Sequence, residues 1–517
     1  MNIRKVYLGL IAILSVALFY EWTSDSRAES VVDHLEAAKV ESLKPQVSDD
    51  GLYVYLENDL LKLKIAIQTG SIVESRLKEY GVENVEGSMG VRVFGSSETG
   101  SFKYYLKTGF TGQASKYVLD NYGDSFVILK STDGDLTKEF SFLPNTYEVL
   151  VKDSSDNGVG GKPFASLYRT EGRSLDLKTA VIEGGMMNNS SYQGVVISSD
   201  QDPYLSSRLR SIDEPFSVLS RSGWVSFIQK YFFAVLIGSD DYVYNYFAQP
   251  ANSGTYRMGY TVEKGEATNL VYSHSHRVFI GPKIRKDLAQ RADNLELSID
   301  MGWFWFISQP MVWFLDLINE YVNSWALSII IFTLILKLAL FPVTAKGFAS
   351  MAGMRKVGPM MKDIQDRHKN DRQKASAEVM ALYKKEGVNP LGGCLPVLAQ
   401  MPFFIGFFFA LREMVELRHA SFYWISDLSI PDPLFILPVL FGLVMVSTQK
   451  LSPAPPTSDP TQAQVMKYMP VVFSIFFFIF PAGLCLYSVV NSGFSLGQQR
   501  YLYKKTGVLG DVGSGGS

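Results

Sequence analysis

Cysteine is nearly absent. The chain has 517 residues and two cysteines, Cys394 and Cys485, both in apolar stretches. None falls between residues 30 and 300, so that region has no disulfide framework. Lone cysteines in apolar runs are mostly small hydrophobes, which argues against thiol catalysis and metal ligation. Histidine is also scarce: His34, His274, His276, His368 and His419 form no motif. No metal and no cofactor is expected. A charge excess of one sign is missing as well. Lys and Arg number 49 against 51 Asp and Glu, a net charge of −2, so no global field favours nucleic acid.

What is present is a split in hydropathy. Mean hydropathy is only +0.07, yet residues 30–300 are polar and residues 301–505 strongly apolar. Residues 1–22 carry Arg4 and Lys5 and then an apolar run ending in Phe19-Tyr20-Glu21-Trp22. A cleaved signal peptide ends its apolar core on small residues. The bulky end here favours an uncleaved membrane anchor with its N-terminus in the cytoplasm. Residues 23–50 lack periodicity and make a linker. From 51 to 298, short alternating runs such as LYVYLEND, LKLKIAIQ and TYRMGYTVEKG are separated by Gly, Asn and Asp. This pattern predicts a large antiparallel β-sandwich. The more continuous run 223–238 fits buried strands of that sandwich. Asn188-Asn189-Ser190-Ser191 holds two glycosylation sequons, relevant only in a eukaryotic cell.

Residues 302–322 are aromatic on one side and carry Asp316 and Glu320, with a break at Pro310. They predict an amphipathic helix lying in a membrane interface. Candidate spans follow at 325–345, 393–411, 434–448, 468–482 and 483–499, separated by a hairpin at 346–392, a loop at 449–467 and a tail at 500–517. With the anchor this makes an α-helical integral membrane protein with a five-helix core. The loop 346–392 carries ten Lys/Arg against five acids, which places it and both chain ends in the cytoplasm. The β-sandwich is then extracytoplasmic. Trp22, Trp303, Trp305, Trp313, Trp325 and Trp424 fall at the outer boundary, as an aromatic belt should.

Lys337 is the one charge in Trp325–Val343. A charge at mid-span costs about 2.5–3.5 kcal/mol on insertion scales and by default marks a functional site. Snorkelling is the bland alternative, since Val343 lies about 9 Å further along the helix. Thr333 precedes Lys337 by one turn on the same face. Gln400 sits mid-span between Pro396 and Pro402, and the last span carries Tyr487, Ser488, Asn491, Ser492 and Ser495. Each alone could bond across packed helices; as a set with an unpaired cation they predict a hydrated groove. No span offers Lys337 a carboxylate, so it would attract acidic or polar peptide from the cytoplasmic side. The basic loop predicts two helices, about 347–369 and 372–386. Met351, Met354, Met360, Met361 and Met380, with Arg355 and Lys356, suit either an adaptable apolar surface or self-packing of the hairpin.

Several motifs then coincide. Lys384-Lys385-Glu386-Gly387-Val388-Asn389-Pro390-Leu391-Gly392-Gly393-Cys394-Leu395-Pro396, followed by Gln400-Met401-Pro402, resembles the signature of the YidC/Oxa/Alb membrane-insertase family. So do SIIIFTLILKLALFPVT and Phe480-Pro481-Ala482-Gly483-Leu484, and the likeness covers nearly the whole chain, outer β-sandwich included. The resemblance implies a Gram-negative inner-membrane insertase and chaperone, acting alone or beside the Sec translocon on nascent inner-membrane proteins. It implies a hydrophilic groove open to cytoplasm and lipid and closed outward, and no covalent chemistry. Lys337 matches the groove cation, usually Arg, so charge is kept and bidentate geometry lost. Thr333 and Gln400 match groove positions and Tyr487 a substrate contact; Ser488 replaces a frequent second Tyr. The basic loop matches a cytoplasmic hairpin required for activity. Only Lys504 and Lys505 remain of the polybasic tail through which many members meet the ribosome.

Two other classes compete. A small-anion transporter or channel would need a path through both faces and usually internal repeats; none is visible. A membrane-tethered carbohydrate enzyme would need convergent carboxylates or histidines in the β domain.

Overall fold

A computed structural model describes residues 46–507, apart from 83, 86, 98–101, 157–160, 171–193, 252–253, 266–272, 369–370, 390–394, 453–467 and 470–471. The anchor at 1–22, nearly all of the linker, the sequons, Cys394, most of the 449–467 loop and the end of the tail lie outside the described residues.

Alternation builds the first domain. In Leu61–Ala66 (LKLKIA), Leu61, Leu63 and Ile65 point into the core and Lys62 and Lys64 outward, the period of two that a half-buried strand requires. Repeated along residues 46–282, this gives an eleven-stranded and a nine-stranded antiparallel sheet packed face to face. The run 223–238 forms two wholly buried strands, Trp224–Ile228 and Phe232–Ile237, paired with each other. The Trp224 indole donates to the Asp293 carbonyl at 3.1 Å. The fold class expected from the sequence, a β-sandwich followed by a helical core, is the one observed.

One feature escaped the sequence pattern. The histidines looked unconnected, yet His274 and His276 belong to a buried polar network between the sheets. Across adjacent strands Lys138 stands opposite Asp153, and Asp153 opposite His274. Lys138 pairs with Asp153 and donates to Thr108 Oγ1 of the other sheet at 2.6 Å. Asp153 Oδ2 lies 3.2 Å from His276 Nε2, and His276 Nδ1 is 3.0 Å from the Tyr260 hydroxyl, again of the other sheet. His274 sits at the edge of this network among the rings of Tyr242, Tyr244 and Tyr260. Among the described residues neither of its ring nitrogens has a hydrogen-bond partner.

Burial, reinforced by His276, pushes the His274 imidazole down from 6.5 to about 2. His276 is also lowered by burial, against the pull of Asp153. The unfolded chain therefore takes up protons near pH 6.5 that the folded domain refuses. Stability is complete above pH 6.5 and falls below it, by up to about 1.4 kcal/mol per pH unit for each imidazole. The domain's unfolding temperature should drop between pH 6.5 and 4.5, and His274→Phe should flatten that slope. An unchanged slope in the variant would remove His274 from the acid sensitivity.

After the strand Ser273–Pro282 the chain turns helical: α1 (Arg285–Arg291), α2 (Trp305–Val322), α3 (Trp325–Ala339), α4 (Phe341–Arg367), α5 (Arg372–Lys385), α6 (Leu395–Glu413), α7 (Ile436–Leu451) and α8 (Ala482–Lys505). The expected boundaries shift in several places. Gln46–Val47 already pairs as a strand within the expected linker. Pro310 does not break α2; it lies in the second turn, where it removes only the bond to the Phe306 carbonyl. The span expected over 325–345 ends at Ala339. Pro342 has no N–H to continue the α3 ladder onto the Leu338 carbonyl, and it suits a first helical turn. A new helix therefore starts at Phe341, ahead of the expected 347, bent 66° from α3. In the 468–482 segment residues 472–476 are helical and 477–480 form turns and bends. Helix α8 continues through Lys505, past the expected 499.

Among the described residues no single helix is long and apolar enough to cross a membrane, although α3 and α4 together pass by length and composition. The core nevertheless shows a broad apolar exterior. Ile335, Leu338, Leu443, Ile475 and Phe476 are exposed, and on α2 so are Trp305 and Trp313. A soluble surface rarely carries such a patch.

Two structural joints matter for the site. At the C-terminal end of α6, Glu413 meets Arg412 at 3.1 Å and Lys283, just past the last strand, at 3.9 Å; all three are buried. Nearby, Arg418 donates to the Gly81 carbonyl and Asn84 to the Ser426 carbonyl. The sandwich is thereby bonded to the core. The second joint is a lid. Asp432 accepts from the backbone N–H of Leu434 and Leu437 and from the Trp424 indole. The backbone N–H groups of Ala482 and Gly483, at the start of α8, donate to Ile430 and Leu428 carbonyls at 2.7 and 2.9 Å. A Cβ on Gly483 would lie 3.3 Å from the Leu428 carbonyl oxygen, so only glycine fits this approach without displacement.

Candidate substrate site

Helix α3 is a run of Leu, Ile and Phe in which Thr333 and Lys337 share one face. Thr333 satisfies its hydroxyl on the Ile329 carbonyl one turn back, at 2.6 Å. Lys337 reaches α8, where its ammonium donates to Ser495 Oγ at 2.6 Å. The Ser495 hydroxyl donates in turn to the Asn491 carbonyl at 3.1 Å. Asn491 Oδ1 accepts from Gln400 Nε2 of α6 at 3.2 Å. One polar chain, Lys337–Ser495–Asn491–Gln400, thus links three helices through the apolar core.

The set expected to line a groove is brought together but enclosed. Lys337 is 1% exposed, Thr333 0%, Tyr487 1% and Ser488 2%. Tyr487 packs 4.4 Å from the Phe407 ring, which stacks on Phe332 of α3 at 5.4 Å. Ser488 bonds back to the Leu484 carbonyl. Gln400 and Asn491 are only half-buried and lie at the accessible side of the chain. Further along α8, Gln498 donates to Thr344 Oγ1 at 2.8 Å, a second tie just beyond the bend. Among the described residues Lys337 has no carboxylate partner. An ammonium has three donors, and here a single hydroxyl accepts.

The sequence pattern puts Ser495 among the polar residues of the last span without naming its partner, and it does not mark Thr344 or Gln498. The signal was spacing: Asn491, Ser495 and Gln498 follow one another at four and three residues, a single helix face.

The hairpin residues divide. Met361 packs with Val357, Ile364, Val379 and Tyr383 inside the α4/α5 hairpin, and the Tyr383 hydroxyl donates to its sulfur at 3.2 Å. Met351 packs beside Ala352 and Tyr503. Arg355 donates to the Leu451 carbonyl at 2.9 Å and lies over the Tyr503 ring. These three hold the hairpin to itself and to α7 and α8. Met354 is half-buried, whereas Met380 and Lys356 face outward.

Residues 53–314 match the family described as YidC periplasmic domain, and residues 317–508 the 60Kd inner membrane protein family. Over 482 residues the chain is 35% identical to the membrane protein insertase YidC of Azotobacter vinelandii, covering 87% of this chain and 84% of that one. Its identity to the Marinomonas sp. insertase is 34%, over 98% and 99% of the two chains. A crystal structure of an active YidC insertase aligns over 96% of this chain and 99% of that one, with 19% identity and a TM-score of 0.40. By the two family matches and the identity to these insertases over nearly the whole chain, the chain belongs to the YidC family of membrane protein insertases.

Proposed function

We propose that this insertase receives hydrophilic segments of nascent inner-membrane proteins in the space around Lys337, while their apolar segments slide into lipid along the core. The observation that carries this reading is a buried cation held by one neutral hydroxyl, inside a bundle whose exterior is apolar. Such a charge is costly, and an acidic or polar peptide entering beside it would supply the missing acceptors. The gain for the substrate is a shorter hydrocarbon path, because each unsatisfied backbone group in lipid costs several kcal/mol. Apolar partitioning of the substrate drives the step.

The orientation follows from charge. The basic 346–392 segment faces the cytoplasm, so the polar chain opens on that side and the lid at Leu428–Asp432 and the sandwich lie outside. Substrates arrive from translating ribosomes or from the Sec translocon, and lipids border α2, α3 and α7. Lys356 and Met380, on the outer faces of the hairpin, are where it first touches a substrate.

A photo-crosslinker at Thr333, with Leu338 on the exposed face as the comparison, tests the route. Ribosome-bound chains of a small single-span protein are presented to membranes holding each variant. Crosslinks at position 333 that rise with chain length and fade on release are expected. Active membranes that give crosslinks at 338 and never at 333 would mean that the enclosed residues are packing alone.

A further inference from the structure

The site as described is shut, so a substrate can meet Lys337 only after α8 moves away from α3. Three observations identify where that movement occurs. Among the described residues the ammonium is tied to α8 by Ser495 alone. Ser495 lies between Gly493 and Gly497, in the interior of a 24-residue helix. Finally, those glycines have no packing reason. At the glycines of α6, α7 and the start of α8 a Cβ would press on a neighbour: Gly406 on Ile307 at 3.0 Å, Gly442 on Ser474 at 2.6 Å, Gly483 on Leu428 at 3.3 Å; Gly358, in the α4 hairpin arm, is open. At Gly493 and Gly497 nothing lies within 4 Å.

Glycine is a poor helix former because its backbone has the most freedom to lose. Where packing does not demand it, alanine would make a stiffer helix. Sharp helix kinks concentrate at Gly/Ser pairs, and here Ser492-Gly493 is such a pair. A serine hydroxyl bonded to the carbonyl four residues back, as Ser495 is to Asn491, also bends helices. The softest part of α8 is therefore the part that holds the cation.

We propose that Ser495 is a latch on Lys337 and that Gly493 and Gly497 form the hinge on which it opens, so that an acidic side chain of the substrate takes the place of the serine hydroxyl. This rests on the reading that Lys337 receives hydrophilic substrate segments. Ser495 is a positioning residue: it holds the ammonium in the closed state and releases it in the open one. The exchange is favourable because a hydrogen bond between two ionised groups is stronger than one from an ammonium to a neutral hydroxyl. The Gln498–Thr344 tie lies beyond Gly497, so it can stay closed while the segment between the glycines swings.

The test uses the full chain in proteoliposomes and two single-span substrates that differ only in an acidic or a neutral tail. Opening is read separately as alkylation of Thr333→Cys by a water-soluble maleimide, with Cys394 and Cys485 replaced by Ser. Ser495→Ala should raise alkylation about threefold or more by shifting the population toward the open form, and Ser495→Thr should restore the original rate. The double variant Gly493→Ala/Gly497→Ala should fold, since both sites are open, and should cut alkylation and acidic-tail insertion about fivefold or more by stiffening the helix. Adding Ser495→Ala to it should recover part of the loss. Unchanged alkylation in both Ser495→Ala and the alanine pair overturns the latch. Lys337→Leu in the same assay separates the two ideas. If it abolishes the preference for the acidic tail while the latch variants do nothing, only the latch fails. If the preference survives Lys337→Leu, the parent reading fails as well.

Discussion

Lys337→Leu should insert an acidic-tailed substrate about 10–100-fold more slowly than the unsubstituted protein, while a substrate with a neutral tail loses little. The range follows from the contact that would be lost. Hydrogen bonds to charged groups are worth about 1.5–3 kcal/mol, and each 1.4 kcal/mol is a factor of ten in rate. The variant is informative because the fold should not suffer. Lys337 is fully enclosed and bonds one hydroxyl, so leucine removes a desolvated charge and strands only Ser495, whose own proton already goes to the Asn491 carbonyl. A gain in thermal stability together with the loss of insertion would show that the cation is kept for its task. Lys337→Arg should retain most of the activity, since charge is what the substrate's carboxylate needs, though the larger guanidinium must be accommodated beside Ser495. Initial rates of protected-fragment formation in proteoliposomes give both numbers. Equal rates for the leucine variant and the unsubstituted protein on the acidic tail would discard the role of Lys337.

The second large effect concerns folding. Glu413→Ala should destabilise the junction of sandwich and core by about 3–5 kcal/mol, the usual cost of removing one partner from a buried ion pair. The carboxylate lies between Arg412 and Lys283, and among the described residues the Lys283 ammonium then keeps the Gln229 carbonyl as its hydrogen-bond acceptor. Burial already pushes the Lys283 amine below its ordinary value, offset in part by Glu413 and Asp300. Without Glu413 that offset shrinks and the cost falls on the fold. A fall of about 10 °C in the unfolding temperature is expected, on the scale of a few degrees per kcal/mol for a domain of this size. The paired change Lys283→Met/Glu413→Leu should recover much of it, because apolar replacement of a whole buried pair is often neutral. A double variant as weak as Glu413→Ala would mean that the carboxylate has other, larger duties at this joint.

Both sites differ in how far they could be foreseen. Lys337 was legible because a lone charge in an apolar run needs no knowledge of its neighbours. The strands were legible for a similar reason: LKLKIA states its own buried face. Glu413 and Lys283 were not, since 130 residues separate two charges that read individually as ordinary surface groups. The Lys138–Asp153–His276–Tyr260 network was hidden in the same way, although His274 and His276, two apart in a strand, already shared a face. The bend at Leu340 was signalled by Pro342 and masked by the apolar residues that continue past it. Closure of the site had no signal in the sequence at all. Polar residues on facing helices are compatible with a wet groove or a packed seam, and the choice depends on how closely the helices approach.

The lid that ties Leu428 and Ile430 to the start of α8 has an electrical consequence. In the proposed orientation, water following a substrate from the cytoplasmic side as far as Lys337 would stop at that seal, and the transmembrane voltage would fall across the remaining outer layer alone. A full charge crossing the whole potential gains about 2.3 kcal/mol per 100 mV, and here that same energy is delivered over a shorter distance. The force on an acidic tail drawn toward the outer side is larger in proportion. An outer face insulated in this way would let the membrane's own charge help pull the tail across while holding back the ions that store it.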